Sequence, residues 1–445
     1  MEVCASNWYQ VQICNHNLLL ADAIHRNLGR RPLLPEWSTL ILDEAHKLPE
    51  AARQMFGITL TAAEIHELIR VLRRERYLLA SENLEEAAGP VLRELARPWD
   101  EDGTFSHFAP FLNRPNHTLE LIQKQIGTIL PHRTQRQLDQ LRDKTALFLQ
   151  KQRDMIFYTA EDSHGGTMLC ATTPNLTDQL RQTLWRQQKP MILTSGTLAV
   201  GEDFRRFKEA TGLLTDSRVR ESVSLSPFAY SRNCLMYVSR LPAHQGAGQY
   251  YDSLTAEIAA LLDAAHGHAL VLFTSYAAMS AVKERLREQD LAYQLFTLGR
   301  NAVHTTKQFK NTPGGVLLAT GAAWEGFDFP GDCVSLLVIP RLPFPIPDAL
   351  KEKEREQYPT LHSFLRGIVV PEMQIKLKQG FGRAIRLETD TCVVAILDER
   401  AARDQRYWKD VLAALPEMPV TQDIHRVEAF IRSVKPDGYF QEGEA

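Results

Sequence analysis

Short apolar runs alternate with helical patterns along most of the chain. Several of these runs end in glycine, serine or aspartate and are followed by helical patterns, which is typical of parallel strands in a doubly wound sheet. The runs are Val11 to Cys14, Thr39 to Asp43, Pro190 to Thr197, Cys234 to Ser239, His268 to Tyr276, Gly315 to Thr320, Cys333 to Pro340 and Thr391 to Asp398. Strands that alternate with helices predict an α/β architecture. Ligands of such sheets bind beyond the carboxyl ends of the strands, so the polar residues there are the candidates for function.

The pattern changes between Ala51 and about Tyr158. Long helix-forming stretches occupy this region without a convincing strand, which predicts a helical insertion. The insertion separates the first two runs from the third, so we expect the first α/β unit to be discontinuous. The expected divisions are 1–55 and 159–212 for the first unit, 56–158 for the insertion, 213–435 for a second unit and 436–445 for a frayed tail.

The run at Thr39 ends in Asp-Glu-Ala-His. A strand here would deliver Asp43 to the carboxyl edge of the sheet, where a carboxylate can hold the water shell of a magnesium ion on the outer phosphates of ATP. Glu44 could polarise the attacking water, and His46 could sense the phosphates. The alternative is an acidic helix N-terminus in which both carboxylates complement the helix dipole.

The sequence LKQGFGRAIR combines glycines with two arginines. On a helix, Gln379, Arg383 and Arg386 would share one face, and Gly380 and Gly382 would let another backbone approach closely. Two guanidiniums without an acid between them favour a phosphate ligand. The alternative is an exposed basic helix, although each glycine costs roughly 1 kcal/mol in a helix interior.

Three further strand ends carry polar side chains. The sequence ATGAAWEGFDFPG sets Glu325 and Asp328 in a glycine-rich loop that could bind arginines, ribose or metal-bound water, or could be an ordinary turn. In LTSGTL, Ser195 and Thr197 could couple nucleotide state to domain movement, although Ser-Gly-Thr is also common turn chemistry. In VLFTSY, the residues that could bind a nucleic-acid phosphate, or equally cap a helix, are Thr274, Ser275 and Tyr276.

Taken in order, DEAH, TSGTL, VLFTSY, WEGFDFPG and QGFGRAIR resemble motifs II to VI of superfamily II helicases of the DinG/XPD type. The segment CNHNLLLADA (Cys14 to Ala23) also resembles the Asn-His-x-Leu-Leu segment that precedes motif II in DinG-like proteins. The resemblance covers about Val11 to Tyr407. It implies two RecA-like domains of the P-loop NTPase type with an arch-like helical insertion. It also implies ATP hydrolysis with Mg²⁺ and movement along single-stranded DNA, typically 5′ to 3′.

The resemblance further implies a role for each candidate residue. Asp43 would bind magnesium, and Glu44 would act as the general base. Arg383 would be the arginine finger, with Arg386 as its companion on the phosphate. Residues implied to serve ATP binding are Gln379, Glu325 and Asp328, and those implied to couple hydrolysis to motion are His46, Ser195 and Thr197.

One motif of this family has no counterpart. A phosphate-binding loop reads GxxxxGK[ST], and the 24 glycines of the chain include no Gly-Lys dipeptide. We therefore expect a carboxyl-terminal part of such a helicase, with an incomplete first RecA-like domain and little ATPase activity by itself. Its partner would be an amino-terminal motor segment or an exonuclease domain. Because only Cys4 and Cys14 precede Asp43, we do not expect the four-cysteine iron–sulfur cluster that many relatives carry.

Composition adds limits rather than a function. A net charge of −3 argues against a polyelectrolyte binder but not against a local basic groove. The six cysteines are scattered, which predicts reduced, buried thiols. With no long apolar run and no export signal, we expect a cytoplasmic protein without a membrane partner.

The leading interpretation is an ATP-dependent DNA helicase that acts on single-stranded or forked DNA in repair or replication. Two alternatives remain open. The chain could be a catalytically silent nucleic-acid-binding or scaffolding relative, or the motor half of a helicase–exonuclease.

Overall fold

The computed structural model describes residues 10–97, 105–150, 155–162, 165–173, 175–224, 226–239, 241, 247–289, 291–299, 302–324, 326–329, 331–347 and 349–441. These residues form two compact units. Unit 1 comprises the described residues of Met1–Ser195, Phe207–Val219 and Ile346–Phe364, and unit 2 those of Gly196–Arg206, Arg220–Pro345 and Leu365–Ala445. The chain therefore passes between the units more often than the expected boundaries at 159–212 and 213–435 allow.

Within the described residues, the strands form three sheets. The strands are β1 (Leu40–Leu42), β2 (Ile58–Leu60), β3 (Ile156–Glu161), β4 (Thr167–Thr172), β5 (Met191–Leu193), β6 (Cys234–Val238), β7 (Ala269–Leu272), β8 (Leu295–Thr297), β9 (Val316–Ala319), β10 (Leu336–Ile339), β11 (Cys392–Ile396) and β12 (Val420–Thr421). Unit 1 holds the parallel pair β1–β5 and an antiparallel sheet of order β2-β4-β3. Unit 2 holds a parallel sheet of order β12-β6-β11-β10-β7-β9-β8.

Helices connect most of these strands. They are α1 (His16–Asn27), α2 (Leu48–Phe56), α3 (Ala62–Arg74), α4 (Leu78–Leu95), α5 (Asn113–Ile126), α6 (His132–Gln150), α7 (Leu176–Thr183), α8 (Arg205–Thr211), α9 (Tyr230–Asn233), α10 (Ala247–Ala264), α11 (Tyr276–Arg287), α12 (Ala302–Lys310), α13 (Ala349–Glu356), α14 (Leu361–Phe364), α15 (Val370–Phe381), α16 (Trp408–Ala414), α17 (Ile424–Val434) and α18 (Asp437–Gln441). None of the helices in the described part of the chain is long and apolar enough to cross a membrane.

The central strands of unit 2 are buried on both faces. Every residue of β6, β7, β9, β10 and β11 is buried. Along β7, Leu270 and Leu272 join one apolar cluster, whereas Ala269 and Val271 join the cluster on the opposite face. Parallel strands that are covered on both sides read as continuous apolar runs, which is why the sequence revealed them. The mixed α/β class predicted from the sequence is confirmed.

The insertion is a helical bundle closed by a small sheet. Helices α3 to α6 pack around an apolar cluster that includes Leu72, Leu84, Leu119 and Phe148. The predicted absence of strands is wrong, because β2 pairs with β4 inside unit 1 and β4 pairs with β3. Strand β2 has three residues, too few to show an alternating pattern.

Two further expectations at the ends of the chain are wrong. The run Val11 to Cys14 is not a strand, and Val11 and Ile13 are 79% and 96% exposed. The predicted frayed tail contains α18, in which Tyr439 is buried and donates a hydrogen bond from its hydroxyl to the carbonyl of Ala265 at 2.7 Å. Residues 442–445 lie outside the described residues.

Candidate functional site

The Asp-Glu-Ala-His sequence forms a tight turn at the carboxyl end of β1. Glu44 adopts a left-handed backbone conformation, with φ 48° and ψ 43°, which is uncommon for a residue other than glycine. Its N–H donates to Asp43 Oδ1 at 2.9 Å, and both side chains are exposed. A single turn of 3₁₀ helix, Ala45–Lys47, follows with Glu44 as its N-cap residue but without a capping hydrogen bond from the Glu44 side chain, and α2 begins at Leu48 with Glu50 as the acid of its first turn. The two carboxylates therefore lie at the strand end, ahead of that helix.

Glu44, His46 and Ser195 form a hydrogen-bonded cluster in unit 1. Ser195 Oγ donates to Glu44 Oε2 at 3.2 Å and is hydrogen-bonded to His46 Nδ1 at 2.8 Å. His46 Nδ1 also lies 3.2 Å from Glu44 Oε2, and the His46 side chain is 16% exposed. Two residues predicted for different motifs, 151 positions apart, thus share one hydrogen bond.

The pairing of β1 with β5 brings this cluster together. The strands run parallel with Leu42 opposite Leu193. Beyond the strands, Thr194 N–H donates to the Leu42 carbonyl at 2.9 Å, and Ala45 N–H donates to the Thr194 carbonyl at 3.0 Å. Because parallel strands end at the same edge of a sheet, the residues after β1 and β5 become neighbours.

Sequence reasoning missed His16, which supports the same turn. Its Nε2 lies 2.9 Å from the main-chain oxygen of Asp43, and because a carbonyl only accepts, Nε2 carries the hydrogen. His16 is the first residue of α1, whose N-cap Asn15 accepts a hydrogen bond from the N–H of Leu18 at 2.9 Å. The resemblance of the segment Cys14 to Ala23 to DinG-like proteins could have pointed to His16, but sequence reasoning assigned this residue no role.

The sequence LTSGTL crosses from one unit to the other. Unit 1 includes Ser195, whereas unit 2 begins at Gly196 and includes Thr197, which is buried. A chain segment that contacts Glu44 and His46 on one side thus leads directly into the other unit.

Arg383 lies in a turn and Arg386 in the irregular segment after it, so neither is on the predicted helical face. Helix α15 ends at Phe381 with Gly382 as its C-cap, so the helix that would align both arginines with Gln379 stops before them. Within unit 2, guanidinium N–H groups of both arginines donate to the carbonyl oxygen of Phe327, at 3.2 Å for Arg386. Arg383 Nε also lies 3.4 Å from the carbonyl of Gln379.

Asp328 and Asp390 fix the position of Arg386. Asp328 Oδ1 lies 2.9 Å from Arg386 Nε, so the arginine has an acidic partner that the sequence spacing did not show. The buried Asp390, which sequence reasoning missed, accepts the N–H groups of Arg386 and Leu387, both at 2.8 Å. Only the turn composition of the sequence LETD hinted at this arrangement.

Gly380 permits a close approach, but to a side chain. A methyl group at Gly380 would lie 2.7 Å from Cζ3 of the buried Trp324. The indole Nε1 of Trp324 donates to the carbonyl of Phe273 at 2.9 Å, which holds the ring in place. At Gly382 a methyl group would come no nearer than 3.3 Å, to the carbonyl of Gln379. The expected approach of another backbone is therefore wrong, and only the first glycine is required by packing.

The remaining candidates differ in what surrounds them. Glu325 lies outside the described residues. Ser275 is the N-cap of α11 and accepts the N–H of Ala278 at 3.2 Å, which is the helix-cap alternative. Thr274 is half-buried and Tyr276 is 64% exposed.

Of the described cysteines, three are buried, Cys333 is half-buried and Cys14 is exposed. Burial raises the pKa of Cys170 to about 11 and that of Cys234 to about 12, and it also raises the pKa of Cys392. Cys14 is exposed, contrary to its predicted place in a buried strand, and Cys4 lies outside the described residues.

The sequence is similar to those of known helicases. A family described as "Helicase C-terminal domain" matches residues 258–418. The chain is 29% identical to the ATP-dependent DNA helicase YoaA of Escherichia coli, over 95% of this chain and 69% of that protein. It is 28% identical to the ATP-dependent helicase DinG of Mycobacterium tuberculosis, over 96% and 67%.

Solved structures share the fold. The S. tokodaii Xpd4 structure matches with a TM-score of 0.57 and 14% identity, over 92% of this chain and 81% of that one. An XPD helicase structure matches with the same TM-score of 0.57 and 18% identity, over 87% and 70%. The chain is thus similar to the DinG and YoaA helicases over most of its length, shares its fold with the XPD structures, and matches the helicase C-terminal domain family at residues 258–418.

Proposed function

We propose that the chain is the carboxyl-terminal part of the motor of an ATP-dependent DNA helicase, which couples ATP hydrolysis to translocation on single-stranded DNA and to duplex unwinding in repair or replication, and that the chain alone has little ATPase activity because it lacks a GxxxxGK[ST] loop. The observation that carries this proposal is the hydrogen-bonded cluster of Glu44, His46 and Ser195 at the ends of two adjacent parallel strands. It joins an acid suited to water activation to a segment that continues into the second unit. The names of the curated relatives support the same activity.

Asp43 fits the part of a magnesium ligand. Mg²⁺ in nucleotide sites keeps several waters and is bound through one or two carboxylates together with the substrate phosphates. The Asp43 side chain is exposed at the strand end, and only Oδ1 is used to hold the Glu44 N–H. When bound, Mg²⁺ with ATP supplies the charge that neutralises the phosphoryl oxygens.

Glu44 is suited to orient the attacking water. Its side chain is 59% exposed and its Oε2 is held by Ser195, which fixes the carboxylate without burying it. His46 lies against the same oxygen, so a change at the phosphates that moves Glu44 would be felt by His46 and Ser195 together. We assign water activation to Glu44 and coupling to His46, Ser195 and Thr197.

In unit 2, Arg383 and Arg386 supply the positive charge. Both donate to the carbonyl oxygen of Phe327, whereas a phosphate would offer each guanidinium an anionic acceptor that can take two parallel hydrogen bonds. We assign the arginine-finger role to Arg383, a supporting role to Arg386, and nucleotide binding to Gln379, Glu325 and Asp328.

DNA would be bound as a single strand or a fork. The side chains of Thr274 and Tyr276 follow β7 directly and belong to the proposed phosphate contacts. Ser275 already caps α11 through its hydroxyl, so its contact would use its backbone N–H.

The test is DNA-stimulated ATP hydrolysis by the gene product that contains these 445 residues. Glu44→Gln and Arg383→Ala should each abolish turnover, since loss of an arginine finger commonly costs about 10³ to 10⁵ in rate. Arg93→Ala, which removes an exposed guanidinium of the insertion, is the matched control and should keep the wild-type rate. Normal turnover by Arg383→Ala would remove that residue from the mechanism, and a wild-type protein that binds DNA without turnover would favour the silent relative.

A further inference from the structure

Two helical turns meet at one end of the insertion. The α3–α4 turn and the α5–α6 turn both lie at the end opposite the β2-β4-β3 sheet, because α3 leaves that sheet and α6 returns to it. Thr134 Oγ1 donates to Glu75 Oε1 at 2.8 Å, and the hydroxyl of Tyr77 donates to the carbonyl of Ile129 at 3.2 Å. These two bonds hold the turns together as one surface.

This surface is both cationic and apolar. Its exposed members, which we call the distal patch, are Arg74, Arg76, Leu78, Leu79, Ile129 and Arg133. Leu78, Leu79 and Ile129 are 54%, 76% and 65% exposed. Segments 73–79 and 127–134 contain four arginines and one glutamate, a formal charge of +3.

Two acids near the turns, Glu75 and Glu85, already have partners. Glu75 accepts the Thr134 hydroxyl, and Glu85 of α4 pairs with Arg73 at 2.6 Å. Arg74, Arg76 and Arg133 have no ion-pair partner within the described part of the chain. Their charge is therefore available to an anionic partner.

Arginines beside exposed branched apolar side chains suit a nucleic acid with unstacked bases. Guanidiniums bind backbone phosphates independently of sequence, and leucine or isoleucine side chains insert against base faces where stacking is interrupted. A closed duplex offers the phosphates but hides the base faces. A single strand, or the junction of a fork, offers both.

We propose that the distal patch binds single-stranded DNA next to a duplex end, with Arg74, Arg76 and Arg133 on phosphates and Leu78 and Leu79 against bases. This inference rests on the proposed function only in taking DNA as the substrate. Neither ATP nor the residues of the hydrolysis site take part in it.

The test is equilibrium binding of the 445-residue chain to fluorescent oligonucleotides, without ATP, over a range of salt concentrations. Arg74→Ala/Arg76→Ala should weaken binding to a single strand and a fork, and should lower the salt slope by about 1.4, since each single-strand phosphate contact contributes about 0.7. Arg74→Lys/Arg76→Lys keeps the charges and should keep the slope. Leu78→Ser/Leu79→Ser should weaken binding to both DNAs without changing the slope, and should leave blunt duplex binding unchanged.

The matched control is Arg93→Ala/Arg114→Ala, which removes two exposed arginines near the sheet end of the same bundle and should leave the slope unchanged. If this control lowers the salt slope as much as Arg74→Ala/Arg76→Ala does, the proposal is overturned in favour of non-specific electrostatic attraction over the whole bundle. If Arg74→Ala/Arg76→Ala and Leu78→Ser/Leu79→Ser both bind DNA as the wild type does, the proposal is overturned in favour of a protein partner. Since Arg383→Ala turnover is measured separately, failure of the patch and failure of the helicase function give different results.

Discussion

The contact between Gly380 and Trp324 gives the sharpest test of the packing around the arginine turns. Gly380→Ala would place a methyl carbon 2.7 Å from Cζ3 and 2.9 Å from Cε3 of an indole ring that is 1% exposed. The ring cannot swing away without losing its 2.9 Å hydrogen bond to Phe273. Overpacking of a core costs about 1–3 kcal/mol, and replacing glycine by alanine in a helix returns up to about 1 kcal/mol. We expect a net loss of about 1–2 kcal/mol.

The neighbouring glycine provides the control. At Gly382 the added methyl comes no nearer than 3.3 Å to any atom and φ is −60°, which alanine adopts freely. Gly382→Ala should therefore change the free energy of unfolding by less than about 0.5 kcal/mol. Guanidinium unfolding followed by circular dichroism compares the two variants. A Gly380→Ala protein as stable as the Gly382→Ala protein would refute the reasoning.

Three further substitutions test single interactions. Ser275→Ala removes the cap of α11 and should cost about 1 kcal/mol in unfolding free energy, whereas Ser275→Asp should keep most of it; equal losses would contradict the cap. Asp390→Ala leaves two main-chain N–H groups near Arg386 without their acceptor and should cost about 1–3 kcal/mol by chemical denaturation, and a neutral result would contradict that role. Burial alone would raise the pKa of the Asp398 carboxyl, but hydrogen bonds from Arg400 outweigh it and hold the pKa below its ordinary value. This stabilisation is therefore complete above about pH 4 and is lost as the pH falls further. The difference in free energy of unfolding between wild type and Asp398→Asn, measured in urea, should shrink from pH 6 to pH 3. A constant difference would contradict this reasoning.

Most of the strands that the sequence predicted are buried on both faces, although β1 and β5 were also predicted and expose Ile41 and Ile192. Burial on two sides requires apolar residues at every position, as in β7 and β10, and such runs are visible without knowledge of their neighbours. The run Val11 to Cys14 is apolar at three of its four positions but is exposed. Whether an apolar run becomes a buried strand depends on a partner strand, and local sequence does not contain that information. The short strands β8 and β12 were missed because three and two residues carry no period.

The candidate site shows the same limit. The sequence indicated Arg383 and Arg386 by residue type, but their spacing suggested a helix that in fact ends at Phe381. Their shared acceptor, the carbonyl of Phe327, belongs to the backbone of another segment and leaves no trace in the side-chain pattern. The bond between Ser195 and Glu44 likewise follows from the pairing of two distant strands.

ATP-driven separation of a forked DNA tests the helicase assignment most directly. The gene product that contains these residues should release the labelled strand only with ATP and Mg²⁺. Its Glu44→Gln variant should bind the same fork and release nothing. Strand release by Glu44→Gln at the wild-type rate, or release that does not require ATP, would contradict the assignment.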